Sequence, residues 1–183
     1  MKLKKQSVCI LLIILSFLFI SCSSADLLIT QKQDSDKKKV LTFDDACRIV
    51  NDNWKTSTAV DGEMPEFLVH IDSIAEFEIL SMTTKDDSLL LQAKVSAPDV
   101  GASLSQIDLF SLDPNSVDID ALLKNAVVNS SIKTEVYEIE IIYENDEYKV
   151  LYSEEFVDAM HGWIISYSQN ALNDYYKSIL QTG

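Results

Sequence analysis

Residues 132–156 read IKTEVYEIEIIYENDEYKVLYSEEF, and this run decides the fold class. It is the densest β-branched and aromatic stretch of the chain, interrupted once by Glu144-Asn145-Asp146-Glu147. Valine, isoleucine and tyrosine suit the half-buried pleated surface of a strand, and a short polar cluster between two such runs marks a tight turn. The stretch therefore predicts a β-hairpin. On its first strand Tyr137, Ile139, Ile141 and Tyr143 share one face, while Val136, Glu138, Glu140 and Ile142 share the other. One side is apolar and the opposite side mixed. A lone hairpin is marginal in water, so more strands or a helix must cover the apolar side.

Both are found on working outward. After the hairpin, Phe156, Met160, Trp163, Tyr167, Ala171, Tyr175 and Ile179 step by three or four, and Val157, Ile164, Leu172, Tyr176 and Leu180 widen the stripe. This predicts a long helix over 154–181, capped by Ser153, with Gly162 weakening it mid-span unless another element approaches closely there. Upstream, Ile119, Leu122, Leu123, Ala126 and Val127 predict a helix closed by Asn129-Ser130-Ser131, preceded by a turn at Asp113-Pro114-Asn115. A short helix is expected within 101–112. A second hairpin is expected from 74–82 and 88–96 across Thr84-Lys85-Asp86-Asp87: Ala75, Phe77 and Ile79 alternate with Glu76 and Glu78, and Leu89, Leu91, Ala93 and Val95 with Gln92 and Lys94. Residues 66–73 fit either a short helix or a strand, and 56–65 a loop. Thr42-Phe43-Asp44-Asp45 has the form of a capping box. The helix it opens, ending near Lys55, carries Phe43, Ala46, Cys47, Val50 and Trp54 on one face, which makes Cys47 a core residue. The order helix, hairpin, helix, hairpin, long helix predicts an α+β domain over 40–183, an antiparallel sheet of two or more hairpins covered by helices.

The N-terminus is of a different kind. Lys2, Lys4 and Lys5 precede an apolar run over 8–20, too short for a comfortable membrane span. Leu18-Phe19-Ile20-Ser21-Cys22-Ser23-Ser24 then resembles the lipobox of a bacterial lipoprotein signal peptide, although Phe19 stands where that pattern usually has leucine. The resemblance implies cleavage before Cys22, lipid on its sulfur and a membrane anchor at the extracytoplasmic side of the cell envelope. Residues 1–21 would be the signal and 22–39, polar and ending in Asp34-Ser35-Asp36-Lys37-Lys38-Lys39, the lipidated N-terminus and a flexible tether. Cys9 would leave with the signal, so Cys47 would be the one remaining thiol and no internal disulfide could form.

Charge bounds the partners. The chain has 29 acidic against 15 basic residues, a formal charge of −14, and loss of the signal would remove three lysines and no acid. Nucleic acid is excluded as a partner, because phosphate recognition requires clustered Lys and Arg. A neutral, apolar or cationic ligand, or another protein, suits the acidic surface better than an anion. Lys94-Val95-Ser96-Ala97-Pro98-Asp99-Val100, and Tyr148-Lys149-Val150-Leu151 followed by Glu155-Phe156-Val157-Asp158-Ala159-Met160, resemble segments of small bacterial lipoproteins of the nuclear transport factor 2-like group. That group has a cystatin-like α+β fold, and the resemblance implies a sheet wrapped by helices around a conical cavity. It carries over no functional residue.

Catalytic chemistry needs a nucleophile, a base and a charge stabiliser in one place. His70 and Asp72 are the sole acid–base candidates, and they would share a side if 66–73 were a strand. His161 is expected exposed or at an edge. No HExxH, CxxC or paired histidines at ligand spacing occurs, and no glycine-rich phosphate loop, so neither a metal nor a cofactor is called for. The oxygen-rich run 113–120 lacks the glycine and distal glutamate of a calcium loop and reads as turn and cap chemistry. Amphipathic rings are the most suggestive feature: Tyr137, Tyr143, Tyr148 and Tyr152 on the hairpin could face Tyr167, Tyr175 and Tyr176 on the last helix. Ligand-binding candidates are Tyr137, Tyr143, Tyr152, Trp163 and Tyr167. The expected function is a non-enzymatic binding or interaction module tethered to a membrane. The alternatives are a small cavity enzyme of hydratase or isomerase type, using His70 and Asp72, and an envelope-assembly subunit.

Overall fold

The computed structural model describes residues 41–57, 64–85, 87–107, 112 and 117–180. Signal, lipid-site and tether positions, Cys22 among them, lie outside the described residues, as do the turn at 113–115 and most of the loop over 56–65. The described elements are α1 (Phe43–Ser57), α2 (Glu66–Asp72), β1 (Glu76–Lys85), β2 (Ser88–Pro98), α3 (Val100–Ser105), α4 (Ile119–Asn129), β3 (Ile132–Glu144), β4 (Glu147–Tyr152), α5 (Glu154–Met160) and α6 (Ile164–Leu180). The four strands form one antiparallel sheet in the order β1-β2-β3-β4. The class is the expected α+β fold, with the expected C-terminal helix.

Local chemistry explains most element ends. Asp45 N–H donates to Thr42 Oγ1 at 3.2 Å, and the Asp45 carboxylate accepts from the Thr42 hydroxyl at 2.9 Å, so the capping box forms. Asp99, Asp118 and Ser153 cap α3, α4 and α5 by accepting from the backbone N–H groups of Ala102, Ala121 and Phe156. At the central turn Asn145 and Asp146 take φ of 55° and 66°, the left-handed pair that a two-residue hairpin needs and that these side chains tolerate best.

The register sets the faces. Leu91 lies between Met82 and Ile139, and Ile139 lies beside Tyr152. Along β1 the spacing from Ile79 to Met82 is odd, which would put Met82 on the wrong side of a regular strand. A bulge between Ile79 and Ser81 absorbs Leu80 and returns Met82 to the core face. Against that face lie α1 and α5, which bury Val50, Leu91, Ala93, Val95, Ile139, Ile141, Phe156 and Ala159. The alanines of β2 leave room for Phe156 and Met160. A second core lies among α2, α3, α4 and α6, built from Phe67, Ile71, Val100, Leu104, Leu123, Val127 and Ile164.

Of the two forms open to residues 66–73, the helix is taken over 66–72, because Phe67 and Ile71, four apart, bury together in the second core. Two expectations need correction. Cys47 is half-buried rather than interior; Ala46, Val50 and Asn53 fill the buried face of α1 instead. The long C-terminal helix is divided: α5 stops at Met160, and Gly162 (φ 70°) and Trp163 (φ 57°) turn the chain before α6. The reason is close approach. A Cβ on Gly162 would lie 2.8 Å from the Pro98 carbonyl oxygen, and one on Gly101 2.5 Å from that of Trp163. Two glycines thus let the end of β2 and the break touch backbone to backbone, and Gly101 N–H donates to Gly162 O at 3.0 Å.

Candidate functional site

Between the hairpin and the segment that follows it, the structure joins Tyr137 to Trp163. Period two along β3 puts Lys133, Glu135 and Tyr137 on one side of the strand, and the left-handed turn at Trp163 lays its indole over them. Trp163 Nε1–H donates to the Tyr137 oxygen at 3.1 Å, and the Tyr137 hydroxyl donates to Glu135 Oε2 at 2.5 Å. The Lys133 ammonium stands 4.2 Å from the centre of the Trp163 ring and 3.2 Å from Glu135 Oε1. Burial, seconded by the Glu135 acceptor, pushes Tyr137 up to about 12. The Tyr137 hydrogen bond, helped by Lys133, holds Glu135 below its usual value. Tyr137 is therefore a hydrogen-bonding group and not a base at neutral pH.

The remaining rings lie in four other places. Tyr152 stacks on Phe156 at 5.2 Å, meets Trp54 edge-on at 5.2 Å and donates its hydroxyl to the Val50 carbonyl at 3.0 Å. Burial raises it strongly, and with Phe77 these rings form part of the sheet core. Tyr143 and Tyr148 pair at 4.9 Å beside the central turn. Tyr167 packs on the second core and donates to the Leu104 carbonyl at 3.3 Å. Tyr175 and Tyr176 are neighbours far along α6, with ring centres 6.1 Å apart. The expected convergence of hairpin and helix tyrosines is not formed, because the break at 161–163 redirects α6 away from the sheet and along α3.

The acid–base candidates separate as well. On α2, His70 and Asp72 are two residues apart and so point to different sides of the helix. Asp72 remains exposed as a residue, yet loss of solvent around its carboxyl raises it, and the charge of His161 acts in the opposite sense. His161 is thus the histidine that Asp72 senses. It is buried, and its Nδ1 lies 2.7 Å from the Val157 carbonyl. A carbonyl can only accept, so Nδ1 carries a proton. Sequence reasoning missed this neighbour, and it also missed Asp158. The Asp158 carboxylate is 5 % exposed and accepts from the N–H groups of Ile165 at 2.9 Å and Ser166 at 3.3 Å, and from the Ser166 hydroxyl. It caps α6 from the preceding helix. Its spacing from Ile165 matches no local cap pattern, so only knowledge of the break could have revealed it.

The face of the sheet opposite the core is left open to solvent. Among the described residues no helix packs on it. Leu80 is 46 %, Val136 52 % and Leu151 39 % exposed, and around them stand Glu76, Glu78, Glu138 and Glu140 with Lys94 and Lys149. Lys94 pairs with Glu78 and Lys149 with Glu144, each at 2.5 Å; such surface pairs contribute little to stability. The result is an apolar, net-acidic surface. Among the described residues no group of three or more His, Cys, Asp or Glu could hold a metal ion, and no helix is long and apolar enough to cross a membrane. Comparison with protein-family models, with curated proteins and with solved structures gives no match to this chain.

Proposed function

We propose that this chain is a lipoprotein held by Cys22 at the extracytoplasmic side of a membrane, and that it acts without catalysis as a binding or interaction module. The observation that carries the reading is the open sheet face, where Leu80, Val136 and Leu151 stand in water among glutamates. Exposed apolar side chains ringed by charge fit a protein partner. The acidic rim selects one that is apolar or cationic where it docks. The lipobox-like run ending in Ile20-Ser21-Cys22, followed by a polar tether, supports the membrane location, since two acyl chains anchor a protein stably where one does not. The resemblance to small bacterial lipoproteins agrees with it.

The test has two arms. Cys22→Ala is expected to move the full chain from the membrane to the soluble fraction and to abolish lipid labelling; an unchanged, lipid-labelled membrane protein would overturn the anchor. Photo-crosslinking groups at Leu80 or Leu151 are expected to capture a discrete envelope partner in cells, with the yield falling at least about tenfold in Glu78→Lys plus Glu138→Lys. Equal capture from a position on α2 would sink the docking face. A second reading, a small acid–base enzyme, is favoured by one feature, the charge of His161 acting on the Asp72 carboxyl. It would be upheld by a turnover that Asp72→Asn and His161→Ala abolish without lowering the melting temperature.

A further inference from the structure

The β3 strand is longer than its neighbour on one side. β4 pairs with it only from Ile139 to Glu144, whereas β2 pairs with it from Ile142 down to Ile132. Between Ile132 and Glu138, one edge of β3 has no hydrogen-bonded strand among the described residues. Asp99 N–H donates to Ser131 O at 2.9 Å, so the backbone groups of Ser131 point toward β2. In an antiparallel ladder this orientation alternates. The N–H and C=O groups of Ile132, Thr134 and Val136 therefore point outward, and their side chains stand on the outer face, with Ile132 57 % and Val136 52 % exposed. The β1 edge, by contrast, is blunted by the bulge at Leu80 and by Glu76, Glu78 and Lys85. Among the described residues the β3 segment has no bulge and no covering strand, and its charges, Lys133 and Glu135, are of opposite sign.

Its sequence is self-complementary. Ile132-Lys133-Thr134-Glu135-Val136 runs apolar, positive, hydroxyl, negative, apolar. An antiparallel copy centred on Thr134 sets Ile132 opposite Val136, Lys133 opposite Glu135 and Thr134 opposite itself. Shifting the centre to Glu135 opposes two glutamates, and shifting it to Lys133 opposes two lysines. Cross-strand pairs of the favourable kinds stabilise and like charges destabilise, so one register is selected.

We propose that this edge pairs with a second copy of the chain across a two-fold axis at Thr134, joining two four-stranded sheets into one. The outward N–H and C=O groups of Ile132, Thr134 and Val136 bond to their counterparts. Apolar pairs form on the outer face, and Lys133–Glu135 pairs form on the inner side beside Trp163. The contact is short, so the dimer is weak in solution. Confinement to a membrane, on the anchored reading above, would raise the effective concentration and favour it; the pairing itself does not require the anchor.

The full chain in detergent, followed by sedimentation equilibrium near physiological salt, tests this. The native chain is expected to dimerise reversibly, and Lys133→Glu and Glu135→Lys are each expected to weaken the dimer by at least about tenfold, since each change acts twice across the axis. An equimolar mixture of the two variants restores it, because positions 133 and 135 again carry opposite charges wherever one variant meets the other. Thr134→Pro removes an outward N–H, together with the hydroxyl that bonds Ser96 Oγ at 3.1 Å, and is expected to give a monomer with an unchanged circular dichroism spectrum. A native chain that stays monomeric at every concentration overturns the proposal, as does a dimer indifferent to both charge changes or a mixture that fails to associate. Leu80→Glu lies off this edge, so loss of the partner in that variant with the dimer intact separates the docking-face reading from this one.

Discussion

Gly162 shows how one residue can decide a fold's path. Its φ of 70° and the 2.8 Å that a Cβ would leave to the Pro98 oxygen combine two demands that only glycine meets. Gly162→Ala is expected to cost about 2–3 kcal/mol in denaturant unfolding, from left-handed strain plus the push against backbone. A loss below about 0.5 kcal/mol would mean the turn relaxes freely. Tyr137 gives a pH signature. Burial, with Glu135 next, lifts its hydroxyl to about 12 in the fold, against about 10 in an unfolded chain. A raised folded value stabilises fully below the unfolded one, and that stabilisation is lost as pH climbs from about 10 to about 12. The native protein is expected to lose thermal stability across this window, and Tyr137→Phe to do so less steeply, as melts at successive pH values would show. Cys47, half-buried at the rim of α1, has its thiol raised by burial first and by Asp44 second, which disfavours the reactive thiolate.

At the level of elements, α6 depends on a group outside itself. The first N–H groups of a helix lack partners within it, and here the carboxylate of Asp158 on α5 meets those of Ile165 and Ser166 from a buried position. The same side chain therefore ties the two helices across the break. Asp158→Ala is expected to destabilise by about 2 kcal/mol, since it strands donors that are screened from water. Asp158→Asn should recover part of this through its amide oxygen, and chemical denaturation of the two variants would show the ranking; equal losses would mean that charge rather than acceptance is what matters. The bulge at Leu80 is a comparable device in the sheet. It lets Phe77, Ile79 and Met82 all reach the core despite their uneven spacing, and it leaves Leu80 outside for another role.

For the molecule as a whole, the break after α5 separates two cores: a sheet core under α1 and α5, and a helical core beneath α6. The first was largely legible in the sequence. Alternation along β2 and β3, the capping box at Thr42 and the Ser153 cap are local patterns, and backbone geometry turns them directly into strand faces and helix starts. The α+β class and the two hairpins followed from them. The candidate site was less legible. Tyr137 meets Trp163, but Tyr143, Tyr152 and Tyr167 go elsewhere, because the periodicity that marks an apolar ring does not say which of two cores it enters. His70 and Asp72 part because 66–72 coils into a helix, a choice that Phe67 and Ile71 settle only when the second core exists to receive them. By itself, then, the sequence determined what each segment could be, since period, cap and turn chemistry act within a few residues. The tertiary structure alone decided where the last helix breaks and which polar groups meet there, since the close approach of Gly162 to Pro98 joins positions that no local pattern connects.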